Sequence, residues 1–319
     1  DQVFRLEMET LPAVAWLTYA GAPFDVEQWL RLAEKTEREK EEAAQELSAI
    51  LGPVNLNSPQ QVLEALQRAG IPAKSTSEKR LAPYRNEPVV AALIRYREAS
   101  KAASTYGRGW VEKYLNPATG RIHPNYRQIG AATGRMACRS PNLQNIPRDP
   151  RFRACFRPLP GRVLVKADLS QIELVVAACL SEDKRMLKAL RDGQDLHALT
   201  AAALFGVPPE NVTKEQRSFA KIVNFGTLYG QGVSGLRAQA AAFGLNLTEE
   251  QAKDLLQRFY QAWPGLTAWR RAQQEQRGGF VYTISGRLRN VQNEPGTVRI
   301  NTPVQGSAAD CFKKALGIL

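Results

Sequence analysis

Helical patterns of apolar and polar residues fill the first third of the chain. One runs from Asp25, a candidate N-cap, to the stop signal Gly52-Pro53. A second capped pattern begins at Asn55 and closes at Gly70, and a third, basic and aromatic, covers residues 88 to 115. Together these patterns predict a helical arm.

The middle of the chain changes to turns and short strands. Residues 116 to 168 are rich in Pro, Asn, Gly and Arg, and the apolar run Val163-Leu164-Val165 predicts a buried strand just before Asp168. Helical patterns return after residue 181. A strand-turn-strand pattern, GGFVYTISGRLRNV, then precedes the closing pattern QGSAADCFKKAL. We therefore expect a helical arm, a mixed centre, a second helical block and a return of the chain towards the centre.

The charge balance indicates a kind of partner. The 319 residues include 43 Lys and Arg against 31 Asp and Glu, which gives a formal net charge of +12. Such an excess indicates a polyanion, nucleic acid first and an anionic membrane surface second. A basic surface that only keeps the protein soluble is an alternative. No run of eighteen apolar residues occurs, so we expect no membrane span.

The cysteines and the first residues of the chain indicate the cellular compartment. The four cysteines are widely spaced and form no C-x-x-C pair, so neither a zinc site nor a disulfide framework is indicated. The first residues, DQVFRLEMET, lack the pattern of a signal peptide, and the missing initiator Met suggests a piece of something longer. We expect free thiols in a reducing, cytoplasmic environment.

The segment TKEQRSFAKIVNFGTLYG, residues 213 to 230, carries the most specific chemistry. Its first residues form a capping box, and four residues then recur at a spacing of four: Arg217, Lys221, Phe225 and Tyr229. On a helix they form one sloping stripe about 18 Å long, with the cations near the amino end. Two cations followed by aromatic rings suit a phosphate chain followed by a sugar and a base. The spacing alone favours a plainer interpretation, with both rings in the core and both cations in solvent.

Other polar residues are candidates for contacts with base edges, which Arg, Asn and Gln side chains can reach in the minor groove. They are Arg135, Asn142, Gln144, Asn145, Asn301 and Gln305. A turn-rich loop whose Asn side chains cap their own backbone is the alternative for the first group. Glu173 has a plain alternative as well, because Ser170-x-x-Glu173 is a capping box, and His197 near a helix start is more often structural.

Four motifs occur in order along the chain. They are TGR with PNLQNIP from residue 133, DLSQIE at 168, R-x-x-x-K-x-x-x-F-x-x-x-Y-G at 217 and N-x-x-x-Q-G-x-A-A-D at 301. In order and spacing they resemble the family A DNA polymerases, the DNA polymerase I type, and the resemblance covers essentially the whole chain. It implies an α+β, mainly helical fold shaped as a right hand, with an antiparallel palm sheet. The thumb would be 25–117, the fingers 184–296, and an incomplete palm 1–24, 118–183 and 297–319.

The resemblance also implies roles for the candidate residues. Asp168 corresponds to the first catalytic aspartate, and the backbone carbonyl of Leu169 would also face the metal. Arg217, Lys221 and His197 would hold the triphosphate. Phe225 would stack near the base and sugar, Tyr229 would pack beside Glu173, and Glu173 would exclude a ribose 2′-hydroxyl. Primer and template would be tracked in the minor groove by Arg135, Asn142, Gln144, Asn145, Asn301 and Gln305.

The implied reaction is template-directed DNA synthesis. A primer 3′-oxygen attacks the α-phosphate of a deoxynucleoside triphosphate while two Mg²⁺ ions, which Mn²⁺ could replace, stabilise the attacking and leaving oxygens. The implied partners are primer-template DNA and deoxynucleoside triphosphates, bound by a monomer.

Several positions depart from the family's pattern. Leu169, Val175 and Thr297 stand where the family has Tyr, Arg and Arg, and Phe225 in place of Tyr implies discrimination against dideoxynucleotides. The second metal-binding carboxylate, which follows a His-Asp-Glu motif in the family, has no counterpart in this sequence, and neither has the proofreading exonuclease. A catalytically inactive module that binds primer-template is therefore the alternative function.

Overall fold

The computed structural model describes residues 1–276 and 278–319, and its chain divides into two compact units. The larger unit contains Asp1–Ala15, Arg127–Ala137 and Ala167–Leu319, and the smaller unit contains Trp16–Tyr126 and Cys138–Lys166. Both are built mainly from helices with short antiparallel strands, as the α+β prediction required. Among the described residues, none of the helices is long and apolar enough to cross a membrane.

The elements up to residue 153 run in the following order. They are α1 Gln2–Ala20, β1 Ala22–Pro23, α2 Val26–Leu51, α3 Pro59–Arg68, α4 Glu78–Leu81, α5 Pro88–Tyr106, α6 Arg108–Tyr114, β2 Leu115–Asn116, β3 Arg121–Ile122, β4 Asn125–Arg127, β5 Ala137–Arg139 and α7 Pro150–Arg153. The strands form a β1-β3-β2 sheet and a β4-β5 pair.

The remaining elements all belong to the larger unit. They are α8 Ile172–Ser181, α9 Lys184–Arg191, α10 Leu196–Phe205, α11 Lys214–Leu228, α12 Val233–Ala242, α13 Glu249–Ala262, α14 Pro264–Glu275, β6 Phe280–Tyr282, β7 Leu288–Asn290 and α15 Gly296–Ile318. The predicted strand-turn-strand is the hairpin of β6 and β7, in which Val281 lies opposite Arg289.

The predicted start and stop of α2 are confirmed in the smaller unit. Asp25 is its N-cap, and the Asp25 carboxylate accepts a hydrogen bond from the Gln28 backbone N–H at 2.8 Å. Gly52, at φ 76°, ends the helix in a conformation that L side chains rarely adopt. The amino half of α2 is anchored by the buried Trp29, whose ring stacks on that of Trp110 at 4.5 Å.

A buried ionic network joins three elements of the larger unit. Lys313 on α15 is 0% exposed, and its Nζ lies 2.6 Å from Oε1 of Glu7 on α1. Arg287, between β6 and β7, donates to Glu7 and, at 2.8 Å, to Asp310 on α15. Burial alone would raise the pKa of Glu7, but hydrogen bonds from Lys313, Arg287 and Gln128 outweigh it and lower the pKa. These charges are paired, as buried charges must be.

The strand predicted at residues 163–165 is wrong. Residues 162–169 have no regular secondary structure, and Val163 and Val165 are 81% and 86% exposed. A strand is stabilised by ladder hydrogen bonds to a neighbour, and within the described residues nothing pairs with this segment. The apolar run is therefore extended chain, and Asp168 follows it on an exposed stretch.

Candidate nucleotide site

Helix α11 presents the predicted stripe. Its capping box is formed, because the Gln216 N–H donates to Thr213 Oγ1 at 3.2 Å and the Thr213 N–H donates to Gln216 Oε1 at 3.0 Å. Arg217 and Lys221 are exposed one turn apart. The rings of Phe225 and Tyr229 are half-buried and stacked, with centroids 6.3 Å apart and planes 24° apart.

The opposite face of α11 supplies the core. Phe219, Ala220, Val223 and Leu228 are fully buried and belong to the main hydrophobic cluster of the larger unit. Phe225 is outside that cluster, whereas Tyr229 packs against its edge. The plainer interpretation, with both rings in the core, is therefore wrong for Phe225. The stripe leaves two exposed cations and the partly exposed ring of Phe225 available to a ligand.

An acidic residue that the sequence analysis did not consider holds Arg217. Asp195 accepts a hydrogen bond from Arg217 Nε, and it also caps α10 by accepting from the backbone N–H groups of His197 at 2.8 Å and Ala198 at 3.4 Å. Burial raises the pKa of Asp195, but Arg217 and the two N–H groups outweigh it and lower the pKa. Arg217 is thus oriented through Nε, and its guanidinium has further N–H donors on the two outer nitrogens.

His197 lies beside this charged group. Its ring is 2% exposed and its centroid lies 5.7 Å from that of Phe225. Burial lowers the pKa of His197 to about 4; Asp195 opposes the shift, and Arg217 and Lys221 add to it. The imidazole is therefore neutral near pH 7. Its Nδ1 lies 2.9 Å from Nδ2 of Asn224, a buried polar residue that no sequence signal identified.

Glu173 joins two predicted site residues. Its Oε1 accepts from Arg135 and its Oε2 accepts from the hydroxyl of Tyr229, so the predicted contact of Tyr229 with Glu173 is present in the geometry. Burial, followed by the hydrogen bond to Glu173, raises the pKa of Tyr229. The capping alternative for Glu173 is wrong. The N-cap residue of α8 is Gln171, at φ 53°, and no side-chain hydrogen bond caps this helix.

The metal ligands predicted at Asp168 and Leu169 lie on an exposed stretch just before α8. The Leu169 carbonyl accepts from the Ile172 N–H at 3.2 Å, which leaves it a second lone pair. In the described ranges no three His, Cys, Asp or Glu side chains come close enough to hold a metal ion. One carboxylate and one carbonyl fit part of a magnesium shell, but they do not complete a site for two ions.

The predicted DNA contacts fall into both units. In the larger unit, Asn301 and Gln305 are half-buried on α15, and the Asn301 Oδ1 is fully buried without a partner among the described residues. In the smaller unit, Asn142, Gln144 and Asn145 are exposed. The Asn142 Oδ1 accepts from the Gln144 N–H at 3.0 Å, so the turn-capping alternative accounts for this side chain as well.

Comparison with known proteins identifies the class. A sequence model described as DNA polymerase family A matches residues 26–318, so this chain belongs to DNA polymerase family A. It is 36% identical to the thermostable DNA polymerase I of Thermus thermophilus over 95% of this chain and 39% of that protein. It is also 36% identical to DNA polymerase I of Pseudomonas aeruginosa over 98% of this chain and 36% of that protein. The chain therefore spans about two fifths of the length of these relatives.

A solved structure is similar over nearly the whole chain. The POL domain of Pol1 from M. smegmatis, in complex with DNA primer-template and dNTP, superposes with a TM-score of 0.86 at 28% identity, covering 98% of this chain and 59% of that one. This similarity confirms the predicted fold class and the resemblance on which the residue roles were based.

Proposed function

We propose that this chain belongs to a DNA-directed DNA polymerase and forms its site for the incoming deoxynucleoside triphosphate. The observation that carries the proposal is the stripe of α11, where the exposed Arg217 and Lys221 precede the half-buried ring of Phe225. The polyphosphate would lie along the two cations near the amino end of the helix, where the helix dipole also favours anions. The sugar and base would then reach Phe225.

Two features of this geometry can assist phosphoryl transfer. Negative charge builds up on the leaving pyrophosphate, and a cation already held in place, here Arg217, stabilises that charge with little reorganisation. The capped start of α10 holds Arg217 through Asp195, whereas Lys221 has no carboxylate within salt-bridge distance among the residues described. Lys221 is therefore the side chain that gains most from a phosphate partner.

Glu173 would form the wall beside the sugar. Because both of its carboxylate oxygens are hydrogen-bonded, the side chain is held in one orientation. A fixed carboxylate can exclude a ribose 2′-hydroxyl by occupying its space. Arg135, which holds Glu173 here, is then part of the nucleotide site in addition to its proposed contact with DNA.

Magnesium would supply the activation of the primer 3′-oxygen when it is bound. Asp168 and the Leu169 carbonyl are the ligands that this chain offers. Since the described residues do not complete a two-ion site, we propose weak or no synthesis by this chain on its own.

Duplex DNA would contact the polar side chains on α15 and in the 142–145 segment. The net charge of +12 supports a polyanionic partner. The same basic charge supports the second candidate function, a catalytically inactive module that binds primer-template as a monomer.

Primer extension separates the two functions. A labelled primer-template is mixed with four deoxynucleotides and Mg²⁺ or Mn²⁺, using the chain and the complete gene product side by side. Extension by the complete product supports the polymerase. Tight primer-template binding without extension by either protein would leave only the binding module, and normal extension by the 319-residue chain would contradict our view of its metal site.

A further inference from the structure

A chain of buried side-chain hydrogen bonds ends at His197. The indole N–H of Trp263 donates to Oγ1 of Thr200 at 3.1 Å. The single hydroxyl proton of Thr200 has two acceptors within hydrogen-bond distance, Oδ1 of Asn224 at 3.1 Å and the Leu196 carbonyl oxygen at 2.8 Å. The Asn224 amide nitrogen then lies 2.9 Å from His197 Nδ1. Trp263 is 4% exposed and the other three side chains are 2% exposed or less. Buried polar groups in low dielectric are costly unless paired, so each of these bonds constrains its neighbour.

The orientation of the Asn224 amide decides which nitrogen of His197 carries the proton. An amide NH₂ can only donate, so the nitrogen that faces Asn224 Nδ2 must accept. A neutral imidazole has one donor and one acceptor, and Nδ1 as the acceptor leaves the proton on Nε2. His197 is neutral near pH 7 because its pKa is lowered to about 4.

The second nitrogen of His197, Nε2, is not occupied by Asn224. Hydrogen bonds recorded in the described ranges involve Nδ1 and leave Nε2 without a partner. The charged groups that act on the ring are Asp195 on the cap of α10 and Arg217 and Lys221 on α11. Nε2 is therefore the ring nitrogen that remains for an anion held by the same two cations.

We infer that Asn224 is a positioning residue, which fixes His197 as the Nε2–H tautomer so that the ring donates a hydrogen bond to the polyphosphate of the incoming nucleotide. This inference rests on the proposed nucleotide site of α11. A neutral donor complements the exposed Arg217 and Lys221 without placing a positive charge on the buried ring, which would be costly in this desolvated position. Asn224 itself does not touch the nucleotide. It acts through His197, as outer partners of histidine ligands do elsewhere.

The two histidines of the chain supply an internal reference for this tautomer. In the smaller unit, His123 Nδ1 lies 3.1 Å from the carbonyl oxygen of Thr18, and its Nε2 lies 2.8 Å from Thr119 Oγ1. A carbonyl oxygen only accepts, so neutral His123 carries its proton on Nδ1. One spectrum should therefore contain both tautomers, Nδ1–H for His123 and Nε2–H for His197.

Nuclear magnetic resonance of the chain labelled with ¹⁵N-histidine tests the tautomer directly. Long-range ¹H–¹⁵N correlations distinguish a protonated from an unprotonated ring nitrogen, and His123→Gln assigns the two rings. We expect Nε2–H for His197 at pH 7.5. An Nδ1–H ring would mean that the Asn224 amide is turned round and that Thr200 donates to the Leu196 carbonyl oxygen, 2.8 Å away. That result would overturn the inference and leave the proposed nucleotide site standing.

Binding of dATP, measured by calorimetry, tests the consequence. The chain is saturated with a primer-template whose primer lacks a 3′-hydroxyl, so binding is measured without extension. Asn224→Leu removes the donor, and we expect an affinity for dATP about tenfold weaker, as for loss of one hydrogen bond to a charged group. The affinity for primer-template should stay unchanged. Thr227→Val is the matched control, because its buried hydroxyl is bonded to backbone carbonyl oxygens, of Val223 at 2.6 Å and of Asn224 at 3.0 Å, and not to the Asn224 side chain.

Asn224→Asp adds a pH signature that a merely structural role would not produce. A carboxylate accepts from Nδ1–H, so at high pH the neutral ring would present a bare Nε2, and at lower pH the doubly protonated ring would regain Nε2–H. At each pH, the Kd of the variant for dATP is divided by the Kd of the unaltered chain, so that titration of the nucleotide cancels. This ratio should rise with pH. A constant ratio, or unchanged affinity in Asn224→Leu, would overturn the inference. No dATP binding by the unaltered chain, or no loss in His197→Ala, would instead overturn the proposed site and the inference with it.

Discussion

The hydroxyl of Tyr229 donates a hydrogen bond to Glu173, 56 residues earlier in the chain, and Arg135 donates to the other oxygen of the same carboxylate. Helix α11 and helix α8 are thereby joined at the point where the proposed nucleotide sugar would lie. Both oxygens of the carboxylate are hydrogen-bonded, so the position of the Glu173 side chain depends on α8, on α11 and on the loop that carries Arg135.

Glu173→Ala should relax the discrimination against ribonucleotides. Removing the carboxylate opens space for a 2′-hydroxyl, so we expect ATP to gain affinity relative to dATP by about tenfold. The ratio of the two Kd values, measured with a primer that lacks a 3′-hydroxyl, checks this. Tyr229→Phe keeps the ring and removes the hydrogen bond, and it should produce a smaller change in the same direction. Unchanged selectivity in Glu173→Ala would show that Glu173 does not exclude the 2′-hydroxyl.

Lys221→Ala should weaken dATP binding far more than primer-template binding. The lysine is exposed and free to pair with phosphate, and a charged hydrogen bond contributes about 1.5–3 kcal/mol, so we expect a loss of at least tenfold. Lys214→Ala removes the same charge from the first residue of α11 and should leave dATP affinity within about twofold. Equal losses of nucleotide and DNA affinity in Lys221→Ala would indicate a general charge effect.

Asp310→Asn should destabilise the chain strongly. Asp310 accepts from Arg287 at 2.8 Å and from Thr283 Oγ1 at 2.7 Å, and the side chains of this network are largely buried. Removing one partner of a buried pair costs about 3–5 kcal/mol. Here Arg287 and Lys313 would be left to share the carboxylate of Glu7. Denaturant unfolding measures the change.

The exposed pair of Lys188 and Asp192 supplies the control for this prediction. Asp192→Asn should cost less than about 1 kcal/mol, as expected for a surface ion pair. Similar losses in the two variants would show that the buried network contributes no more than a surface pair.

Several elements could be predicted from the sequence because their signals are local. The cap Asp25 and the capping box of Thr213 and Gln216 involve side chains three residues apart, and both are formed. Strand pairing is not local, and the apolar run at Val163 lacks a neighbouring strand in the described residues, so its hydrophobicity alone was misleading. Helix α1 was not predicted at all, and its apolar pattern is interrupted by Pro12.

The candidate nucleotide site could be predicted only in part, because many of its contacts join residues that are distant in the sequence. The stripe of α11 follows from a spacing of four, but the partners Asp195, Asn224 and Arg135 come from other turns and elements. A polar residue such as Asn224, next to Phe225 in the sequence, carries no sign that it is buried. Its role depends on which ring nitrogen of His197 it meets, and only the packed helices define that contact.

Lowering the pH from 6.5 to 4 should destabilise the chain through His197. Burial lowers the pKa of His197 from 6.5 to about 4, so over this range the unfolded chain binds a proton that the folded chain excludes. Stability is therefore fully present above pH 6.5 and falls on acidification, by up to about 1.4 kcal/mol per pH unit. The pKa values of Asp195 and Glu7 are lowered from ordinary values of 3.8 and 4.5, so these carboxylates change the stability mostly below this pH range.

His197→Gln isolates the effect, because glutamine keeps a polar side chain without a proton to gain. The free energy of unfolding of the unaltered chain, minus that of the variant, should be constant above pH 7 and decrease steadily between pH 6.5 and 4. Urea titrations at half-unit steps of pH measure this difference. If it stayed flat down to pH 4, the His197 ring would have to be as easily protonated in the folded chain as in the unfolded one, and the desolvated position assigned to it beside Phe225 would be wrong.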